Sequence, residues 1–205
     1  KGWNYSAVPT GRLDIPGGQK KDELSYGINQ ILPLVEIRAP FELDIWELDN
    51  VVRGAEDIDL SGLEQAAHRI SDFEDRTVFQ GFPDASISGL VKASEHKAMP
   101  LPDNAEDFIG SVSAGINQMR KEAIEGPYTL VVNPELWQQI SGHVRGYPLN
   151  NHLEQLTGGS VVISQNISET ALVSNRGGDF RLTVGQDLSV GYKAHDSQKV
   201  QLFFT

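Results

Sequence analysis

The side chains best equipped for chemistry in this chain are its carboxylates. Two of them, Asp44 and Glu47, lie close together in the stretch Phe41-Glu42-Leu43-Asp44-Ile45-Trp46-Glu47-Leu48-Asp49-Asn50. A pair of carboxylates can divide acid and base work in a hydrolysis. Here, however, acids alternate with apolar residues at period two, as in a half-buried strand. That reading puts Phe41, Leu43 and Ile45 on one face. Glu42 and Asp44 face away, covered by water or by a neighbour. Trp46 then falls on the acidic face, which predicts either a chain reversal near it or a surface that something else covers.

The remaining chemistry is sparse. His68, His96, His143, His152 and His195 are scattered, none at the i,i+4 spacing of a helical metal site. With no cysteine the usual zinc layouts fail, so no metal site is expected. His143, in the Gly-punctuated loop Gly142 to Gly146, is the histidine of most interest. Gly158-Gly159 and Gly177-Gly178 read as turn glycines rather than phosphate cradles. No serine stands in a Gly-x-Ser-x-Gly elbow. Asp72 to Arg76 reads as a charged helix face. No catalytic group is expected, and the chain is read as a non-enzyme. Trp137, beside Leu136 and Ile140, is expected in a core. Trp46 offers an indole to a planar ligand or, the favoured reading, to another subunit.

The elements that position these residues follow from periodicity and turn signals. Residues 5 to 38 read as an extended hairpin arm: Ala7-Val8 leads into Arg12 to Ile15, Pro16 to Gln19 turn, and Ile31 to Ile37 return. Such a ribbon is marginal alone and predicts a partner. A helix is expected over 59–79, with Leu60, Leu63, Ala67, Ile70 and Phe73 inward and Ser61 with Glu64, or Asp59, as its cap. Another is expected over 104–123, with Asp103 and Glu106 at its start and Phe108, Val112, Ile116, Met119 and Ala123 on one stripe. Tyr128 to Val132 is a buried strand. Asn133-Pro134 opens one helix; Pro148 opens another that Gly158-Gly159 closes. Strands are expected at Val161 to Ser164, Ala171 to Ser174, Phe180 to Val184, Leu188 to Tyr192 and Val200 to Phe204, with a turn at Arg176 to Asp179. The class is α+β.

Composition sets the limits. The 205 residues are 39% hydrophobic, enough for a sizeable core. A net charge of −11 argues against a general nucleic-acid binder, and no apolar run has the length of a membrane span. The lack of cysteine fits a reducing compartment. The chain opens at Lys1 and closes at Phe203-Phe204-Thr205 inside a strand pattern, so both ends read as cut.

A family resemblance runs nearly end to end. It is carried by Gly2-Trp3-x-Tyr5, Leu32 to Arg38, Leu43-Asp44-x-Trp46-Glu47-Leu48-Asp49-Asn50, Arg53-Gly54 and Phe73-Glu74-Asp75. It continues through Glu125 to Val131, Tyr147-Pro148-Leu149, Arg176 to Phe180 and Gly185 to Tyr192, all in order. In these motifs the chain resembles the encapsulins of the linocin type, shell proteins that enclose enzymes. The resemblance implies the tailed-phage major-capsid-like fold of the Hong Kong phage type. Its parts would be a leading strand and extended loop (1–38), a peripheral domain with a long helix (39–101), an axial domain (102–190) and a return strand (191–205).

By the same resemblance the protein is a cytoplasmic shell subunit that self-assembles into an icosahedral nanocompartment. The cargo would be a peroxidase or a ferritin-like iron oxidase, linking the particle to oxidative stress or iron storage. It would be captured through a C-terminal targeting peptide. Arg12, Ile15, Leu34, Glu36, Arg38 and Trp46 are expected at subunit interfaces. Gly142, His143, Val144, Arg145 and Gly146 are expected to line the fivefold pore. No cofactor is required, although a flavin could stack on Trp46; neither nucleic acid nor membrane is an expected partner. Family members carry a further N-terminal helix and a further C-terminal strand. A fragment lacking them is expected to be a monomer or small oligomer. The alternatives are a phage or prophage major capsid protein on the same fold, and an antibacterial or proteolytic protein.

Overall fold

The computed structural model of the protein describes residues 2, 4–17, 24–102, 104–141 and 148–205. They form two compact units. The first comprises residues 1–74, 82–87 and 183–205, the second residues 75–81 and 88–182. The main run of the second unit begins at Ser88 and ends at Leu182.

In chain order the elements begin with strands β1 (Ala7–Asp14), β2 (Ile28–Pro33) and β3 (Ala39–Asp44), followed by helices α1 (Ile45–Arg53) and α2 (Ser61–Gln80). Short strands β4 (Gly81–Phe82) and β5 (Ile87–Ser88) flank a single turn of 3-10 helix, Pro83–Ala85. Then come α3 (Leu90–Ala93), α4 (Ala105–Lys121), β6 (Tyr128–Val132), α5 (Pro134–Ser141) and α6 (Leu149–Thr157). Strands β7 (Val161–Ile163), β8 (Ala171–Ser174), β9 (Val190–His195) and β10 (Lys199–Phe204) complete the chain. The mixture is α+β, as expected.

The first unit is built on the antiparallel sheet β3-β10-β9. Period two places Ala39, Phe41 and Leu43 inward and leaves Pro40, Glu42 and Asp44 in water. These three join Phe204 of β10 and Ala66 and Ile70 of α2 in one core, with Phe41 and Phe204 ring centroids 5.1 Å apart. Leu60, Leu63 and Ala67 pack around it, and Ala66, absent from the predicted stripe, is fully buried. Phe73 meets Phe82 edge-on at 5.3 Å. The carboxylate of Asp59 accepts from the Ser61 N–H at 2.9 Å, so Asp59 rather than Ser61 supplies the cap.

The second unit centres on β6, which pairs parallel with β7 and antiparallel with β8. A parallel pair needs a crossover, and α5 and α6 supply it. Phe108, Val112 and Ile116 of α4 close over Tyr128, Leu130 and Val132, together with Leu136, Ile140, Leu149 and Leu153. Asn133 caps α5 as expected, accepting from the Leu136 N–H at 2.8 Å. Asn104, not Asp103, caps α4 by accepting from the Asp107 N–H at 2.9 Å; Asp103 lies outside the described residues. Ala123 falls past the end of α4 at φ 59°, which removes it from the helical stripe.

Four expected strands are corrected. The strand at Phe41 stops at Asp44, because Asp44 caps α1 and turns the chain helical. The return strand of the arm is β2, Ile28–Pro33, rather than Ile31 to Ile37. Pro33 has no N–H for the ladder, and beyond it the Leu34 N–H donates to the Ser6 carbonyl at 2.9 Å. Phe180 to Val184 forms no strand among the described residues, although Phe180, Leu182 and Val184 alternate as one would. The expected strand at Leu188 to Tyr192 sits slightly later, as β9.

Candidate functional site

The expected chemical residues resolve into structural roles. Asp44 Oδ1 accepts from the Trp46 N–H at 2.7 Å, while Glu47 accepts from Asn50 Nδ2 at 3.3 Å and from the Asp59 N–H at 3.1 Å. Each carboxylate is therefore committed to holding backbone or a neighbouring amide. His68 and His152 are exposed, and His195 Nδ1 lies 2.5 Å from the Tyr192 hydroxyl. Among the described residues no group of three or more His, Cys, Asp or Glu is placed to hold a metal ion. A cleft of about 630 Å³ in the second unit is lined by Arg120, Glu125, Tyr128 and Gln155, among others. Tyr128 Oη there donates to the Ile124 carbonyl at 2.8 Å. No helix among the described residues is long and apolar enough to cross a membrane.

The unusual feature is exposed apolar surface, and the arm carries much of it. Among the described residues, strands β1 and β2 pair only with each other. Every residue of β2 is exposed, as are the last six of β1. Leu13, Ile15, Leu24, Tyr26, Ile28, Ile31 and Leu32 all face water. Among the described residues this two-stranded ribbon carries apolar side chains with no covering layer, an arrangement marginal on its own. Its base is anchored: the Gly2 N–H donates to the Gly185 carbonyl at 2.7 Å, and Leu34 packs against Gly185.

A second apolar ledge continues the core of the first unit. In the antiparallel register Phe204 stands opposite both Ala39 and Val190, and Leu202 opposite both Phe41 and Tyr192. Opposed residues share a sheet face. Val190 and Tyr192 therefore extend the face that carries Phe41 and Phe204, yet they are 53% and 60% exposed. The outer edge of β9 is also unpaired among the described residues.

The residues expected at interfaces separate into two groups. Arg12 is exposed on β1, and Ile15, just beyond it, is 68% exposed. Trp46 is 65% exposed in the first turn of α1, with the Arg53 guanidinium 5.7 Å from its ring centroid. Leu34, by contrast, is half-buried at the arm's base. Glu36 and Arg38 pair with each other at 2.6 Å, and the Arg38 guanidinium lies 4.8 Å from the Phe203 ring centroid. The expected pore residues Gly142, His143, Val144, Arg145 and Gly146 lie outside the described residues. The indole of Trp46 stands open on the surface of α1.

Several exposed residues escaped the sequence reading: Val52, Tyr26, Ile28, Phe180, Leu182 and Tyr192. For all but Val52, which lies on α1, the signal was present as strand-like alternation, but alternation alone does not tell a face turned to the chain's own core from one turned outward.

Among the described residues, Trp46 on α1, the β1–β2 ribbon and the Val190–Tyr192 face of the sheet leave apolar surface exposed. The family model described as an encapsulating protein for peroxidase matches residues 1–205. This chain belongs to that family. A "Type 1 encapsulin shell protein" of Rhodococcus erythropolis is 35% identical over 206 residues, covering 99% of this chain and 77% of the relative. Among solved structures, a virus-like particle from Pyrococcus furiosus superposes with a TM-score of 0.69 at 18% identity, covering 97% of this chain and 79% of that one. A chain of a Mycobacterium phage gives a TM-score of 0.51 at 13% identity, covering 97% and 78%. The fold is thus that of capsid-like particles, as the sequence motifs implied.

Proposed function

We propose that the chain is the shell subunit of a cytoplasmic, icosahedral compartment that encloses a cargo enzyme, a peroxidase or a ferritin-like iron oxidase. The observation that carries this reading is the arm: exposed apolar residues on both of its strands, in a chain that belongs throughout to a family described as encapsulating a peroxidase. A second copy supplies the arm with a covering layer. Symmetric closure lets many such contacts, each modest, build a stable particle. The role is structural, and the carboxylates committed to capping α1 and holding the Asp59 turn agree with it.

In this reading Arg12, Ile15, Leu34, Glu36, Arg38 and Trp46 belong to subunit contacts. Gly142 to Gly146, with His143 and Arg145, line the fivefold opening. A flavin stacked on Trp46 is a second use of the same exposed indole. Cargo is captured through a peptide at its C-terminus. The phage-capsid and antibacterial alternatives draw less support, since the identity above 30% is to shell proteins named as encapsulins.

The test is co-expression with a candidate peroxidase or ferritin-like protein, followed by gradient sedimentation. Cargo should travel with the particles, and removal of its C-terminal peptide should leave it at the top of the gradient. Cargo that never enters the particle fractions, or enters equally without its peptide, contradicts the cargo reading.

A further inference from the structure

In the second unit, the irregular segment Ser94–Pro102 lies along one face of α4 and is held there at two points. His96 Nδ1 sits 3.3 Å from Gln118 Nε2 and 3.3 Å from Glu122 Oε1. Further along, the methyl carbon of Met99 occupies a notch at Gly115, where a Cβ would stand 3.2 Å from Met99 Cε and 3.3 Å from Leu172 Cδ2. Gly115, Gln118 and Glu122 follow helical three-and-four spacing, so they share a face. Residue 96 meets positions 118 and 122 while residue 99 meets 115. The segment therefore runs antiparallel to α4, as a strap. A Cβ at Gly115 would crowd the Met99 methyl group and press it outward by a few tenths of an ångström.

Met99 is nevertheless 43% exposed. It is one of only two methionines in a chain with no cysteine. The other, Met119, packs against the core cluster of α4 and β6. The side chains most readily oxidised by peroxide are thus reduced to two thioethers, one presented to solvent and one half-buried on the core. Oxidation converts a flexible apolar side chain into a polar one, and a reductase reverses it.

We propose that Met99 is an oxidation site and that its oxidation releases the strap from α4. Hydrogen peroxide transfers one oxygen atom to the sulfur lone pair. A sulfur–oxygen bond forms, the peroxide O–O bond breaks, the thioether is oxidised by two electrons, and the reduced peroxide leaves as water. The side chain whose methyl group sits in the notch at Gly115 thereby becomes polar, which weakens its apolar seat on α4. The His96 contacts to Gln118 and Glu122 are left as they were. This proposal does not depend on what the particle encloses.

The test treats the protein with hydrogen peroxide and follows oxygen addition by peptide mass spectrometry. Hydrogen exchange of residues 94–102 is measured on the same samples. Met99 is expected to oxidise several-fold faster than Met119, and exchange of the strap is expected to rise with it. In Met99→Leu, which keeps the apolar contact, the same peroxide treatment should leave strap exchange unchanged. Gly115→Ala, which crowds the methyl group, should hasten Met99 oxidation. Treatment with methionine sulfoxide reductases should restore slow exchange in the wild type. Equal oxidation of the two methionines overturns the proposal. So does Met99 sulfoxide with unchanged strap exchange, or an exchange rise that persists in Met99→Leu.

Discussion

The backbone N–H of Trp46 donates to Asp44 Oδ1 at 2.7 Å, and that bond turns a strand into a helix. Asp44 is the last residue of β3 and the N-cap of α1, with the extended backbone a cap requires. One residue earlier the side chains alternate in and out; one residue later they spiral. Trp46 is lifted from the sheet's outer face into the first turn of α1, where it stays in water. At the far end Gly54 takes φ 97°, and its N–H closes the last turn onto Asn50 and Val51.

Asp44→Ala removes the cap. We expect a loss of about 1 kcal/mol of stability, within the usual range for N-caps, read as a lower urea midpoint with an unchanged slope. Asp44→Asn should retain most of it.

Trp46→Ala should act differently. An indole 65% exposed adds little to the fold of its own chain, so unfolding should shift by no more than about 0.5 kcal/mol. The proposed loss is in association, read as a shift toward smaller species in sedimentation velocity. A large drop in stability with normal association would contradict a contact role.

Phe41→Ala tests the core of the first unit. Phe41 is 6% exposed and 5.1 Å from Phe204. Truncating a buried aromatic costs about 3–5 kcal/mol, which should appear as a large fall in the denaturant midpoint. A change below 1 kcal/mol, roughly the level of a surface substitution, would mean the sheet and α2 are not packed as described.

Acid should loosen the turn at Arg176–Asp179. The guanidinium donates through Nε to Oδ2 at 2.8 Å and through Nη2 to Oδ1 at 2.9 Å, which holds the Asp179 carboxyl below its ordinary 3.8. Asp196 is lowered by the N–H groups of Gln198 and Lys199, and Asp59 by the hydroxyl and N–H of Ser61. A carboxyl depressed in the folded state adds stability that is fully present above its unfolded value and lost as pH falls through the folded one. Thermal midpoints should therefore drop as pH falls below 3.8. Asp179→Asn should weaken that dependence, modestly because the pair is solvent-accessible.

Much of this was legible in the residues. The β6 strand has the predicted limits, Asn133 caps α5, and α2 lies within a residue or two of its expected range. These elements announce themselves through local periodicity and turn chemistry. The end of β3 was less legible because Asp44 serves both patterns: an outward strand residue and a helix cap. Phe180 to Val184 misled because alternation records a preference, while a strand also needs a partner for its backbone groups. The exposure of Val190 and Tyr192 depends on how far α2 reaches across the sheet, which no local signal encodes. The motifs around Trp46 pointed to the family; the committed carboxylates and the bare arm supply the physical reason for an assembly role.

The most direct measurement is electron microscopy of the purified full-length protein, paired with sedimentation velocity across a range of concentrations. The assembly reading predicts hollow, closed particles of uniform size, with Ile31→Glu on the arm abolishing them while the chain stays folded. A uniform monomer at every concentration, or particles indifferent to a charge on the arm, would contradict it.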